Sequence, residues 1–153
     1  MLGKAATSSI SGDDSKEIIS TSGQRVISSR SSNNDYLQPC NHEEADTRIV
    51  LHLSDAVQRG HSDIIICTAD TDVVVLVVSN FHKIGAQNIW LSFGVAKHHR
   101  YIAAHEIASE LGPRRAMCLP MFHSFTGCDV TSFFCGKGKK SAWGNLECIS
   151  YSD

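Results

Sequence analysis

The stretch DIIICTADTDV, residues 63–73, decides the fold. Asp63 to Thr68 is an apolar, β-branched run of strand length, of the kind that a parallel sheet buries on both faces. Asp70 and Asp72 follow where that strand ends. Val73 to Val78 has strong β propensity, but a second strand directly after TADTD needs a tight turn and lacks the residues for one, so a short helix is predicted there. Downstream, NIWLSF (88–93) reads as another strand stopped at Gly94. A helix from about Ile102 to Leu111 ends at Gly112-Pro113, and a further helix carries Leu119, Phe122 and Phe125 before Gly127. Upstream, Asn41 can cap a helix with Glu43 and Glu44 in its first turn; Ile49, Leu53, Ala56 and Val57 recur at helical spacing before Gly60. Strands alternating with helices define an α/β fold with a mainly parallel sheet.

The chain has 153 residues, which suits one domain with a substantial core plus a tail. With 42% hydrophobic and 20% charged residues it has a globular composition, and its apolar runs are far shorter than the ~20 residues of a membrane helix. No membrane span is expected. The opening segment MLGKAATSSISGDDSKE lacks the continuous apolar run of a secretory signal, so an intracellular setting, nuclear or cytoplasmic, is expected. Residues 1–39 are rich in Ser, Gly, Asn and Asp and read as a mobile tail. Within them, two β-branched runs around Ser22-Gly23 suggest a short hairpin over residues 17–28. Cys40, Cys67, Cys118, Cys128, Cys135 and Cys148 form no CxxC pair, and buried free thiols are the expected state. A net charge of −2 argues against a protein that coats nucleic acid by charge alone.

Carboxylates gather at element ends in three places: Glu43, Glu44 and Asp46 in HEEAD, Asp70 and Asp72 in TADTD, and Asp129 in TGCD. Acidic groups brought together repel one another, and a divalent cation is the usual counter-charge. Hard cations such as Mg²⁺ or Mn²⁺ take oxygen ligands from a few carboxylates, water and a substrate phosphate. In open α/β sheets ligands bind beyond the carboxyl ends of the strands, where Asp70 and Asp72 fall. Two such ions about 3.5–4 Å apart activate a water and bind the leaving oxygen in phosphoryl chemistry. Singly, each feature has a plainer reading. Glu43 and Glu44 compensate a helix dipole, Asp129 caps a following helix, and Gly136-Lys137-Gly138-Lys139-Lys140 is a lysine-bearing surface turn.

In order, the chain presents Glu44-Ala45-Asp46, Asp70-Thr71-Asp72, Gly127-Cys128-Asp129 and Gly136 to Lys140. This succession resembles the C-terminal half of a flap-endonuclease-like member of the PIN-like nucleases, over roughly residues 41–146. The HEEADTR, DTDV, FHxFTGCD and GKGK combination resembles most closely a group of uncharacterised animal proteins associated with mobile elements. The resemblance implies a partial, three-layer PIN-like domain over residues 40–148, with a helix-two-turn-helix-like element at 129–146. It implies metal ligation of Mg²⁺ or Mn²⁺ by Glu44, Asp46, Asp70, Asp72 and Asp129, with Glu43 as a neighbour, and catalytic roles for Asp70, Asp72 and Asp129. It also implies that Gly136, Lys137, Gly138, Lys139 and Lys140 bind the backbone of DNA. That family carries further metal-binding aspartates in an N-terminal half, and this chain has a Ser-rich stretch before Asn41. A protein partner or a missing N-terminal half is therefore expected to complete the site, and sheet edges are expected to be exposed. A catalytically incomplete remnant that binds nucleic acid or protein is the rival reading.

Two further readings stay open. IIICTADTDVVV also fits the start of a haloacid-dehalogenase-like phosphatase with Asp70 as nucleophile. Cys40, His42, His98, His99, Cys118 and His123 offer zinc ligands, without a recognised spacing. His98, His99 and Arg100 also suit contact with phosphate. No aromatic ladder for stacking single strands is expected, since Phe122, Phe125, Phe133 and Phe134 fit helix cores.

Overall fold

The computed structural model describes residues 16–30, 34, 37–38, 45–127 and 143. The chain divides into two units, residues 1–41 and 42–153. In the first, β1 (Ile19–Ser22) and β2 (Arg25–Ser28) form an antiparallel hairpin with Ser22 opposite Arg25. The loop is thus Gly23-Gln24, one residue later than the sequence reading. Gly23 has φ +59° and Gln24 does not share a positive φ, the sign pattern of a type II′ turn, whose first central residue favours glycine.

The second unit contains α1 (Ala45–Gln58), β3 (Asp63–Thr68), α2 (Thr71–Ile84), β4 (Asn88–Phe93), β5 (Arg100–Ala103) and α3 (Ala104–Thr126). The α1 helix stops as the sequence predicts. Gly60 has φ +90°, its N–H donates to the Val57 carbonyl, and the His61 N–H reaches back to Ala56, which together make a Schellman closure. β3 and β4 are parallel and in register from Asp63–Asn88 to Thr68–Phe93, with α2 as the crossover between them. β5 runs antiparallel to β4, so the sheet is mixed, in the order β3-β4-β5. The α/β class and the parallel pairing are as expected, and β5, a four-residue strand of sequence RYIA that the sequence places partly in the following helix, adds an antiparallel edge.

The run Val73–Val78 is helical, and the helix is longer than the short one predicted. Asp70 caps it by accepting the Asp72 N–H at 2.8 Å, and Val73, Val77 and Val78 recur on the buried side. Burying one valine stripe outweighs the β preference of the run. Gly85, at φ +75°, ends it by donating its N–H to the Phe81 carbonyl. α3 is two helical segments joined at Gly112, whose φ and ψ of 70° and 164° break the helix where Gly112-Pro113 predicts.

The core joins Leu53 of α1, Val73, Val77 and Val78 of α2, and Ala104 and Ala108 of α3 to Ile66, Ile89 and Leu91 of the sheet. The small alanines let α3 approach closely, and His82 of α2 binds the Ala108 carbonyl at 3.0 Å through Nε2. These helical side chains all meet one face of the sheet. The opposite face carries Ile65, 65% exposed, and the exposed thiol of Cys67. The expectation that β3 is buried on both faces is therefore corrected. Of the three expected layers, the described residues supply two.

At the end of β4 the Gly94 N–H continues the ladder to the Thr68 carbonyl. Gly94 has φ +88°, and a Cβ there would lie 2.8 Å from the His98 carbonyl oxygen, so glycine alone fits this corner. On α1, burial and then the Arg48 guanidinium hold His52 below its ordinary value of 6.5, against the opposing pull of Asp55. The unfolded chain binds this proton more readily than the native one. The His52 contribution to stability is therefore full above about pH 6.5 and is lost as the pH falls through the lowered native value. Thermal melts should show a smaller fall in Tm between about pH 7.5 and about pH 5.5 for His52→Gln than for the unsubstituted chain; equal falls would contradict this assignment.

Candidate functional site

Two of the sequence-selected carboxylates line one cleft. Asp46 lies in the first turn of α1 and Asp72 in the first turn of α2, where the helix dipole favours negative charge. Thr47 of α1, Val75 and Leu76 of α2, and Pro120, His123 and Ser124 of α3 complete the walls. The cleft is polar at its carboxylates and apolar along α2. Its shape depends on the second segment of α3, which packs along α2 and brings its last turn over the start of that helix.

The central contact is between His123 Nε2 and Asp72 Oδ1, at 2.8 Å. The imidazole is mostly buried, at 16% exposure, while the Asp72 side chain is 40% exposed. One carboxylate oxygen is thus held by an enclosed ring in an acid that still reaches solvent. A hydrogen bond of this kind fixes the rotation of a carboxylate, which is how residues behind a metal ligand set its direction. The Ser124 hydroxyl donates to the Pro120 carbonyl at 3.0 Å, the back-bond to residue i−4 that serine commonly makes inside a helix.

Asp70 is placed differently. It is exposed, its Oδ1 is engaged by the Asp72 N–H, and its own N–H donates to Thr68 Oγ1 at 3.0 Å. It stands just beyond β3, as the metal and phosphatase readings both require, but it is absent from the cleft lining and orders the start of α2. Glu43, Glu44, Asp129, Gly136, Lys137, Gly138, Lys139 and Lys140 lie outside the described residues, as does the element expected at 129–146 apart from Trp143. Among the described residues no three His, Cys, Asp or Glu side chains converge on a common metal position. The oxygen donors of Asp46 and Asp72 nonetheless suit a hard ion, since Mg²⁺ is commonly held by one or two carboxylates with water and phosphate filling its other positions.

Of the zinc set, Cys40 and His42 lie outside the described residues. Cys118 is disulfide-bonded, which removes the thiolate that zinc requires, and His123 is bound to Asp72. The expected buried free thiols are corrected at the two described cysteines: Cys118 is not free, and the free Cys67 is exposed; Cys40, Cys128, Cys135 and Cys148 lie outside the described residues. Phe125 is exposed rather than part of a helix core, whereas Phe122 meets the Trp143 ring edge-on at 5.0 Å.

His123 is the site residue that sequence reasoning assigned elsewhere. Its partner is 51 positions away, beyond the reach of any local periodicity. The available signal was its place in Phe-His-Ser-Phe, immediately before Thr126-Gly127-Cys128-Asp129. No family model matches this chain, and no curated protein or solved structure matches it.

Proposed function

We propose that the chain is a PIN-like nuclease domain that uses Mg²⁺ or Mn²⁺ to hydrolyse phosphodiester bonds in branched or single-stranded DNA. The observation that carries this reading is the meeting of Asp46 and Asp72, from the starts of two helices, in one cleft walled by the third. Asp46 and Asp72 hold the ion, joined by Glu43, Glu44 and Asp129. Asp70 sets the start of α2, just beyond β3. A bound divalent ion supplies an activated water and neutralises charge developing on phosphoryl oxygens. His123 orients Asp72 through Oδ1, and the Gly136 to Lys140 segment holds the DNA backbone through main-chain N–H groups and lysine charge.

The test is cleavage of end-labelled flap and single-stranded DNA by the purified chain with Mn²⁺, beside Asp70→Asn and Asp129→Asn. Cleavage by the unsubstituted chain and its loss in Asp129→Asn support the reading. A folded chain that binds DNA without cutting it supports the rival, a catalytically incomplete binding module. That rival draws on one observation, the engagement of Asp70 in capping rather than in the cleft.

The orienting role of His123 gives a separate prediction. His123→Leu should weaken Mn²⁺ binding by about tenfold, the lower end of the range for residues behind a metal ligand. His123→Gln keeps an N–H donor near the same place and should bind within about twofold of the unsubstituted chain. Equal loss in both variants would refute orientation through this hydrogen bond.

A further inference from the structure

The face of the sheet turned away from the core has a composition of its own. Strand register places Ile65 and Cys67 of β3, Trp90 and Ser92 of β4, and Tyr101 of β5 on that side. Trp90 is 38% exposed and Tyr101 63% exposed. Trp90 pairs with Ala103, two residues along β5 from Tyr101, so the two rings are diagonal neighbours across adjacent strands. His99 adds a third ring. Its Nε2 is 2.7 Å from Ser92 Oγ, and it meets the Tyr101 ring edge-on with centroids 5.0 Å apart. The Tyr101 ring is thereby steadied without being covered.

Charge is distributed unevenly around these rings. Lys97, His98 and His99 are exposed in the connection from β4 to β5, at one end of the face, whereas Arg100, the first residue of β5, pairs with Phe93 on the other side and lies over the Phe93 ring. Asp63 stands at the opposite end, held by Asn88 Nδ2 at 2.7 Å and by the Ser62 hydroxyl at 2.8 Å. No carboxylate lies between them on the strands of this face. Exposed aromatic rings on a sheet with cations at one end suit a chain of planar, apolar bases joined by phosphates. A purely apolar protein partner would match Ile65, but would leave the cationic end without a counterpart.

We propose that this sheet face binds single-stranded nucleic acid, with Trp90 and Tyr101 stacking on bases and Lys97, beside His98 and His99, attracting the phosphates. The binding goes beyond the metal cleft and needs none of its carboxylates. It differs from the expectation that no aromatic ladder serves single strands, which rests on the Phe residues and not on Trp90 and Tyr101.

The test is fluorescence anisotropy of a short labelled oligo-dT with the full chain, in EDTA and low salt so that no divalent ion contributes. Tyr101→Ala should weaken binding about tenfold, and Tyr101→Phe should stay within about twofold because stacking uses the ring and not the hydroxyl. Lys97→Ala should lower the slope of log affinity against log salt by about 0.7. Tryptophan emission should be quenched on binding in Trp143→Phe and unresponsive in Trp90→Phe. Asp72→Asn should bind oligo-dT normally, which separates this proposal from the cleft reading. Absence of binding by the folded chain, or binding indifferent to Tyr101→Ala, would overturn the proposal. So would a concentration-dependent dimer that Tyr101→Ala dissociates in a chain without oligo-dT affinity, which would assign the face to a second copy.

Discussion

Asp72→Asn should abolish metal-dependent cleavage while leaving the fold in place. The substitution removes a negative charge from the cleft and preserves the shape of the side chain. Asparagine Oδ1 still accepts from His123 Nε2–H, and the Asp72 main-chain N–H that satisfies the Asp70 cap is untouched. The loss therefore falls on metal binding. An ion in a phosphodiesterase site supplies several kcal/mol of charge stabilisation, and about 4 kcal/mol corresponds to roughly 10³ in rate. A rate reduced about 10³-fold, with a thermal melt within a few degrees of the unsubstituted chain, is the expected pair of results. Unchanged cleavage would remove Asp72 from the chemistry. Asp70→Asn is the instructive comparison, since asparagine caps a helix about as well as aspartate and any loss there reports charge rather than helix stability.

The largest effect on stability is expected at Leu91. It is fully buried on β4, beneath α2 and α3, in the cluster that also holds Ile66, Ile89 and Val77. Leu91→Ala leaves a cavity that a sheet strand cannot close, and such replacements cost about 2–5 kcal/mol. Against a total stability of about 5–15 kcal/mol this is a large share, so urea denaturation should show a much lower midpoint with a similar slope. Ile65→Ala on the neighbouring strand removes a comparable side chain from the exposed face and should change stability by no more than about 0.5 kcal/mol. Equal losses at the two positions would mean that the Ile65 face is covered in solution.

The contrast between Leu91 and Ile65 also marks what could be read in the sequence. The order of helices and strands from α1 to α3, β5 apart, followed from local signals: Gly60 and Gly94 as stops, the apolar β-branched run from Asp63 to Thr68, and Gly112-Pro113 as a break. Which face of β3 meets helices is not a local property, because Ile64, Ile65 and Ile66 are chemically alike and only the placement of α1, α2 and α3 distinguishes them. β5 was missed for a related reason. Four residues bounded by a basic loop and a helix carry little periodicity, and their strand character comes from pairing with β4. Within the cleft, Asp46 and Asp72 were legible as acids at element starts, whereas the His123 contact depends on the break at Gly112 and the packing of two helices.

The claim that the cleft is a divalent-metal site is tested most directly by Mn²⁺ binding, read from the loss of the free-ion electron paramagnetic resonance signal on titration. The unsubstituted chain should bind Mn²⁺, Mg²⁺ should compete for the same position, and Asp72→Asn should lose that binding while remaining folded. Absence of Mn²⁺ binding by the folded chain, or binding of equal strength in Asp72→Asn, would contradict the account.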